Sequence, residues 1–160
     1  MKSGDDAHGA GQAGSVFERE PVTESESQSD LEPSGELTVQ VVAMPCDTNQ
    51  NGDIFGGWVV SRMDQACGIA AARKANGRVV TIAIDAMKFI RPVKVGDVLC
   101  VYTAIDHIGR TSMQIHVEAW ALRFRTLHRE KVTYATFVFV SVDDRGRPTP
   151  VIGECVEAQS

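Results

Sequence analysis

Residues 46–77 read CDTNQNGDIFGGWVVSRMDQACGIAAARKANG, and this stretch decides the fold. Its first dozen residues are dense in Asn, Asp and Gly, the composition of a loop built on turns. From Gly57 to Ala75 the pattern becomes helical. Val59, Met63, Ala66 and Ala70 recur at i, i+4, i+7 and i+11, one face of a 3.6-residue period. Arg73 and Lys74 suit the negative end of the helix dipole, and Asn76-Gly77 is a C-terminal stop.

The flanks of this helix read as strands. Before it, Leu37 to Met44 alternates in β-forming residues and is closed by Pro45. After it, a run from Val79 to Ile90 ends at Arg91-Pro92. A run from Asp97 to Ile108 turns at Gly109-Arg110. Next, Met113, Ile115, Val117, Ala119 and Ala121 alternate with Gln114, His116, Glu118 and Trp120. The last run, Lys131 to Val142, ends in the turn Asp143-Asp144-Arg145-Gly146.

One helix of this length spans about 28 Å at ~1.5 Å per residue. Strands of ten to twelve residues are at least as long at ~3.3 Å per residue. The expected class is α+β: a curved antiparallel sheet of about five strands wrapped round a long central helix. Ala66, Gly68, Ala70, Ala71 and Ala72 let the sheet approach closely. The second and last strands are apolar on both faces, with Ile82, Ile84 and Phe89 on one and Phe137 to Val140 on the other. Self-association is therefore expected.

Composition bounds the rest. The chain has 160 residues, 43% of them apolar and 23% charged, which suits one globular domain. Residues 1–35 carry two basic side chains against eight acidic ones, a net −6, leaving +1 to the remainder of a chain of net −5. That first segment is rich in Ser, Gly, Glu and Gln and reads as a disordered acidic tail, with the folded domain over 36–156. A pI near 5.3 speaks against nucleic acid as a partner. No apolar run approaches a membrane span, and the N-terminus shows no secretory h-region, so the expected location is the cytoplasm. Cys46, Cys67, Cys100 and Cys155 form no C-x-x-C pair, and His8, His107, His116 and His128 are scattered, so no metal site is expected.

Two features suggest chemistry. Gly56-Gly57 immediately before the helix leaves its first N–H groups bare, a setting for an anion or a developing oxyanion, although a long turn has the same letters. Asp64 lies two turns into the helix among Val60, Ser61, Cys67 and Gly68, where a carboxylate would be partly desolvated, unless Arg62 or Lys88 pairs with it. Seven helical steps separate Gly57 from Asp64 by roughly 10 Å. Both can serve one reacting carbon only if two subunits share the site.

Three blocks carry a family resemblance: MPCDTNQNGDIFGGWVVSRMD, then GRVVTIAIDAMKFIRPVKVGD, then GRTSM. Together they resemble the hotdog-fold acyl-CoA thioesterases, in particular the YciA-like branch, over Leu37 to Pro148. The resemblance implies hydrolysis of acyl-CoA to free acid and CoA, with no cofactor, at sites between subunits of a trimer of dimers. It places the catalytic carboxylate on Asp64 and the carbonyl-polarising amide on Gly57, or its neighbour Gly56. Asp53 falls near the reacting centre, where Asn49 or Asn51 would help it position water. CoA contacts are implied at Arg91, Arg110, Thr111 and Ser112, and the acyl tail is expected between helix and sheet, past Ile69, Ile82 and Met87. Two other readings of the same fold remain: a non-catalytic acyl-CoA-binding protein, and a hydratase that would need His107 or His116 beside an aspartate.

Overall fold

The computed structural model describes residues 32–151. The elements in chain order are β1 (Glu36–Val42), a 3-10 turn (Pro45–Asp47), α1 (Gly56–Ala75), β2 (Arg78–Phe89), β3 (Val98–Ile108), β4 (Ser112–Leu122) and β5 (Arg129–Val142). The five strands form one antiparallel sheet in the order β1-β3-β4-β5-β2. This is the expected architecture of one long helix on a five-stranded sheet. Residues 1–31 of the expected tail, and with them His8, lie outside the described residues, as does Cys155.

α1 ends as its letters require. Asn76 adopts the left-handed conformation at φ 48°, and its N–H donates to Ala72 O. The buried stripe of α1 is Val59, Met63, Ala66, Cys67, Ala71 and Ala75. Sequence spacing ended that stripe at Ala70, but Ala70 is only half-buried. The helix advances 100° per residue, so Cys67 and Ala71 rotate under the sheet instead. Their partners are the inward residues Leu99 and Val101 of β3, Met113, Ile115, Val117 and Ala119 of β4, and Val132, Phe137 and Phe139 of β5. A Cβ on Gly68 would stand 3.7 Å from the Phe139 ring, so a small residue there sets the helix-to-sheet spacing.

Two strand expectations separate. Phe137 and Phe139 of β5 are buried against α1, and Val138 and Val140 are half-buried, because β5 lies between β4 and β2. β2 is an edge strand, and Val80, Ile82, Ile84 and Phe89 are exposed, Ile82 by 59%. Its register against β5 shifts between Thr81 and Ala83 and again between Asp85 and Lys88. Glu118 and Trp120 of β4 point away from the helix yet are buried, since Tyr102 and Tyr134 flank Glu118 across the sheet and Lys131 lies over the indole.

Candidate active site

The loop before α1 is braced from within. Thr48 and Ile54 form an isolated bridge. Asn49 N–H donates to Asp53 O (2.7 Å), and Asn49 Oδ1 accepts the N–H groups of Asn51 (2.9 Å) and Asp53 (3.1 Å). Only the Oδ1 of the Asn49 side chain is used in this way. That oxygen is committed to the loop, as short polar side chains in turns often are. Asn51 and Asp53 keep exposed side chains.

α1 then starts without a side-chain cap, since its N-cap residue is Phe55, and its first turn carries no acid. The leading N–H groups of a helix have no intrahelical acceptor. A Cβ on Gly57 would meet nothing within 4 Å, and one on Gly56 would meet Phe89 Cζ at 3.3 Å. The helix start is thus open on the Gly57 side and closed by β2 on the Gly56 side. Trp58, one residue on, is half-buried against the core under the Arg62 guanidinium, 5.3 Å from its ring centroid.

Asp64 is half-buried on the flank of α1, and Thr81 Oγ1 donates to its Oδ1 at 2.6 Å. Neither cation considered from sequence is its partner among the described hydrogen bonds: Arg62 donates to Gln65 Oε1 (2.9 Å). Thr81 is the neighbour of Asp64 that sequence reasoning missed. The signal was there, because Thr81 is the one hydroxyl in the apolar run Val79 to Ile84. Cys67, beside Asp64, is fully buried, and its thiol is pushed up to about 12, first by burial and then by the Asp64 charge.

The proposed CoA-contacting residues divide between two ends of the sheet. Thr133 pairs with Phe89 and Ala119, while Val140 pairs with Val80 and Ser112. Seven strand residues separate those rows, roughly 23 Å at ~3.3 Å per residue. Arg91 therefore sits at the end that holds the start of α1. Arg110, Thr111 and Ser112 sit at the other end, where Thr111 O accepts Ser141 N–H and Arg110 O accepts Val151 N–H, both at 2.9 Å. One protomer does not gather them. His116 lies with Glu118 on the far face of the sheet (Nε2 to Oε1, 3.3 Å), and His107 is exposed near the end of β3, so the hydratase pairing with Asp64 or Asp53 does not form within the chain. Of the expected tail contacts only Met87 packs against the core; Ile69 and Ile82 are exposed.

Residues 51–126 match the thioesterase superfamily. The chain is 46% identical over 125 residues to the acyl-CoA thioester hydrolase YciA of Salmonella typhimurium, spanning 76% of this chain and 94% of that protein. The chain belongs to the acyl-CoA thioester hydrolases of hotdog fold. Among solved structures, the hexameric thioesterase y2039 from Yersinia pestis is 45% identical with a TM-score of 0.74, covering 76% of this chain and 99% of that one. An acyl-CoA hydrolase from Staphylococcus aureus, solved with butyryl coenzyme A and coenzyme A, is 29% identical with a TM-score of 0.66, covering 72% and 70%. Among the described residues of this thioester hydrolase no helix is long and apolar enough to cross a membrane, and no cluster of His, Cys, Asp and Glu could hold a metal ion.

Proposed function

We propose that this acyl-CoA thioester hydrolase works at sites shared by two copies of the chain, with Asp64 of one copy and the Gly57 N–H of the other on the same thioester. The observation that carries the reading is the placement of Asp64: a half-buried carboxylate on α1, oriented by Thr81, about two turns from a bare helix start. The Gly57 N–H donates a hydrogen bond to the carbonyl oxygen as it becomes an oxyanion; comparable donors are worth ~2.7–4 kcal/mol. Asp64 either takes the proton of an attacking water or attacks the carbonyl carbon itself. In the first course the water oxygen bonds to the acyl carbon, the C–S bond breaks, and CoA leaves as the thiolate. A thiol of pKa about 8.5 needs no strong acid to leave, which fits a site without histidine.

Asp53 and Asn51, exposed on the loop before α1, are in place to hold water, and the Asn49 amide nitrogen completes that set. Arg91 from one copy and Arg110, Thr111 and Ser112 from the other would meet the phosphates and nucleotide of CoA. The open edge and exposed apolar side chains of β2 support pairing of two copies, and the hexameric relatives support a trimer of such dimers. The fold begins two residues before the expected boundary at 36, since Ser34 N–H donates to Glu118 and Gly35 packs on Thr103, and the enzyme is cytoplasmic, with acyl-CoA as its partner rather than nucleic acid or membrane.

The test is thiol release from acyl-CoAs of graded length, acetyl to palmitoyl, by the natural protein and by Asp64→Asn. We expect release with a chain-length window, reduced at least ~100-fold in the variant. Binding of acyl-CoA without release would instead favour the non-catalytic reading. In the second course CoA leaves as the thiolate from an Asp64–acyl anhydride that water then opens, and label found in Asp64 after a single turnover in 18O-water would mark it as the nucleophile.

A further inference from the structure

Arg123 follows β4 directly, and only 17% of its side chain is exposed. Its guanidinium joins the end of β4 to two further segments at once. Nε and Nη2 donate to Glu130 Oε2 at the start of β5 (2.9 and 2.6 Å). Nη1 donates to Asp97 Oδ2 just before β3, and Nη2 donates to Pro92 O in the β2–β3 loop (3.1 Å). Asp97 in turn accepts Lys94 N–H at Oδ2 (2.8 Å), which closes the turn of that loop. Burial alone would lower the basicity of Arg123, but the two carboxylates more than offset it and keep the side chain cationic.

Arg91 precedes Pro92 and is held lightly on its own account. Its N–H donates to Val132 O at 3.4 Å, and its guanidinium donates to Lys131 O at 3.4 Å. Its charge is near enough to Glu130 to help hold that carboxyl below the ordinary range, against burial and together with Arg123. Two consequences follow for Arg91. Fixing the Pro92 carbonyl fixes the backbone on which Arg91 stands, and pairing Glu130 with Arg123 stops that carboxylate from drawing Arg91 inward. A buried charge network of this kind contributes little stability over apolar packing. It does fix geometry, because a guanidinium fork binds several acceptors in set directions and an ammonium does not.

We propose that Arg123 is a positioning residue for CoA recognition: it holds the β2–β3 loop so that Arg91 presents its guanidinium to a CoA phosphate. This rests on the reading of Arg91 as a CoA contact. The experiment compares an acyl-CoA with the acyl-pantetheine of the same chain, which has the thioester but no nucleotide. Arg123→Lys, which keeps the charge, should raise KM for acyl-CoA about tenfold, leave kcat within about twofold and leave acyl-pantetheine turnover unaltered. Arg91→Ala should raise KM with the same selectivity, and the double variant should be no worse than Arg91→Ala alone, since the two act through one contact. Asp97→Asn, which frees one side of Arg123 with little change of shape, should move KM the same way by less, and serves if Arg123→Lys does not fold. If Arg91→Ala leaves KM unchanged, the CoA contact is wrong and the proposal falls with it. If Arg91→Ala acts but Arg123→Lys does not, or if Arg123→Lys weakens both substrates alike, or if the two effects add, Arg123 is structural only and the proposal alone is overturned.

Discussion

Asp64 and Cys67 stand three residues apart on α1 and show how one helix sorts side chains by facing. Asp64 reaches the flank, where a hydroxyl from β2 orients it; Cys67 points into the core beside it. Burial and the neighbouring carboxylate both disfavour the Cys67 thiolate, which is the reactive form. Cys46 is exposed on the 3-10 turn. Iodoacetamide at neutral pH should therefore alkylate Cys46 and leave Cys67 unmodified until the protein unfolds, as peptide mass mapping would read directly. Glu118 is a contrasting case. Burial would raise its pKa, but donation from Trp120 Nε1 (2.8 Å), Ser34 N–H (3.2 Å) and His116, with Lys131 at 3.3 Å, holds it below the ordinary value of 4.5. A carboxyl depressed by folding stabilises fully above its unfolded pKa and loses that contribution as pH falls through the folded one. The melting temperature should fall as the pH drops below about 4.5, and Glu118→Gln should flatten that fall while lowering the plateau above it.

Elements meet at two crowded junctions. At the first, the chain turns into β1 through Gly35, at φ 94°, and an added Cβ would stand 2.4 Å from Thr103 O. Backbone conformation and space both demand glycine there. Gly35→Ala should cost about 1–3 kcal/mol, read as a lower denaturant midpoint with little change in slope. At the second, Gly56 packs under the Phe89 ring, which sets how closely β2 approaches the start of α1. Strand positions and the helix were legible from alternation and spacing to within a residue or two at their ends. The strand order was not, because period-two patterning records which face a residue shows and carries no information about its neighbour. That β2 pairs with β5, at the edge, comes only from the tertiary structure.

For the whole molecule, the proposed roles of the helix start and Asp64, and of Arg91 and Arg110 to Ser112, require that one protomer alone be an incomplete site. A complementation experiment tests this. Gly57→Pro removes the amide hydrogen in a first helical turn that tolerates proline. Asp64→Asn and Gly57→Pro should each be nearly inactive as pure proteins. Co-expressed, they should recover activity, since each mixed pair of subunits then holds one intact site. No recovery in assemblies shown to be mixed would mean that both groups act within one chain.

Much of this protein was determined by its sequence alone. The 3.6-residue and two-residue periods, the glycines before α1 and the Asn76 stop are local, so they could be read directly, and Asp64 stood out as a carboxylate among small and apolar neighbours. The tertiary structure alone decided what lies beside what: Thr81 against Asp64, Arg123 joining three segments, Asn49 committed to its loop, and β2 left open at the edge. Those contacts join residues far apart in the chain, or depend on the facing of a side chain within a loop. Packing of the whole sheet round α1 sets the long-range ones, and no local pattern encodes it.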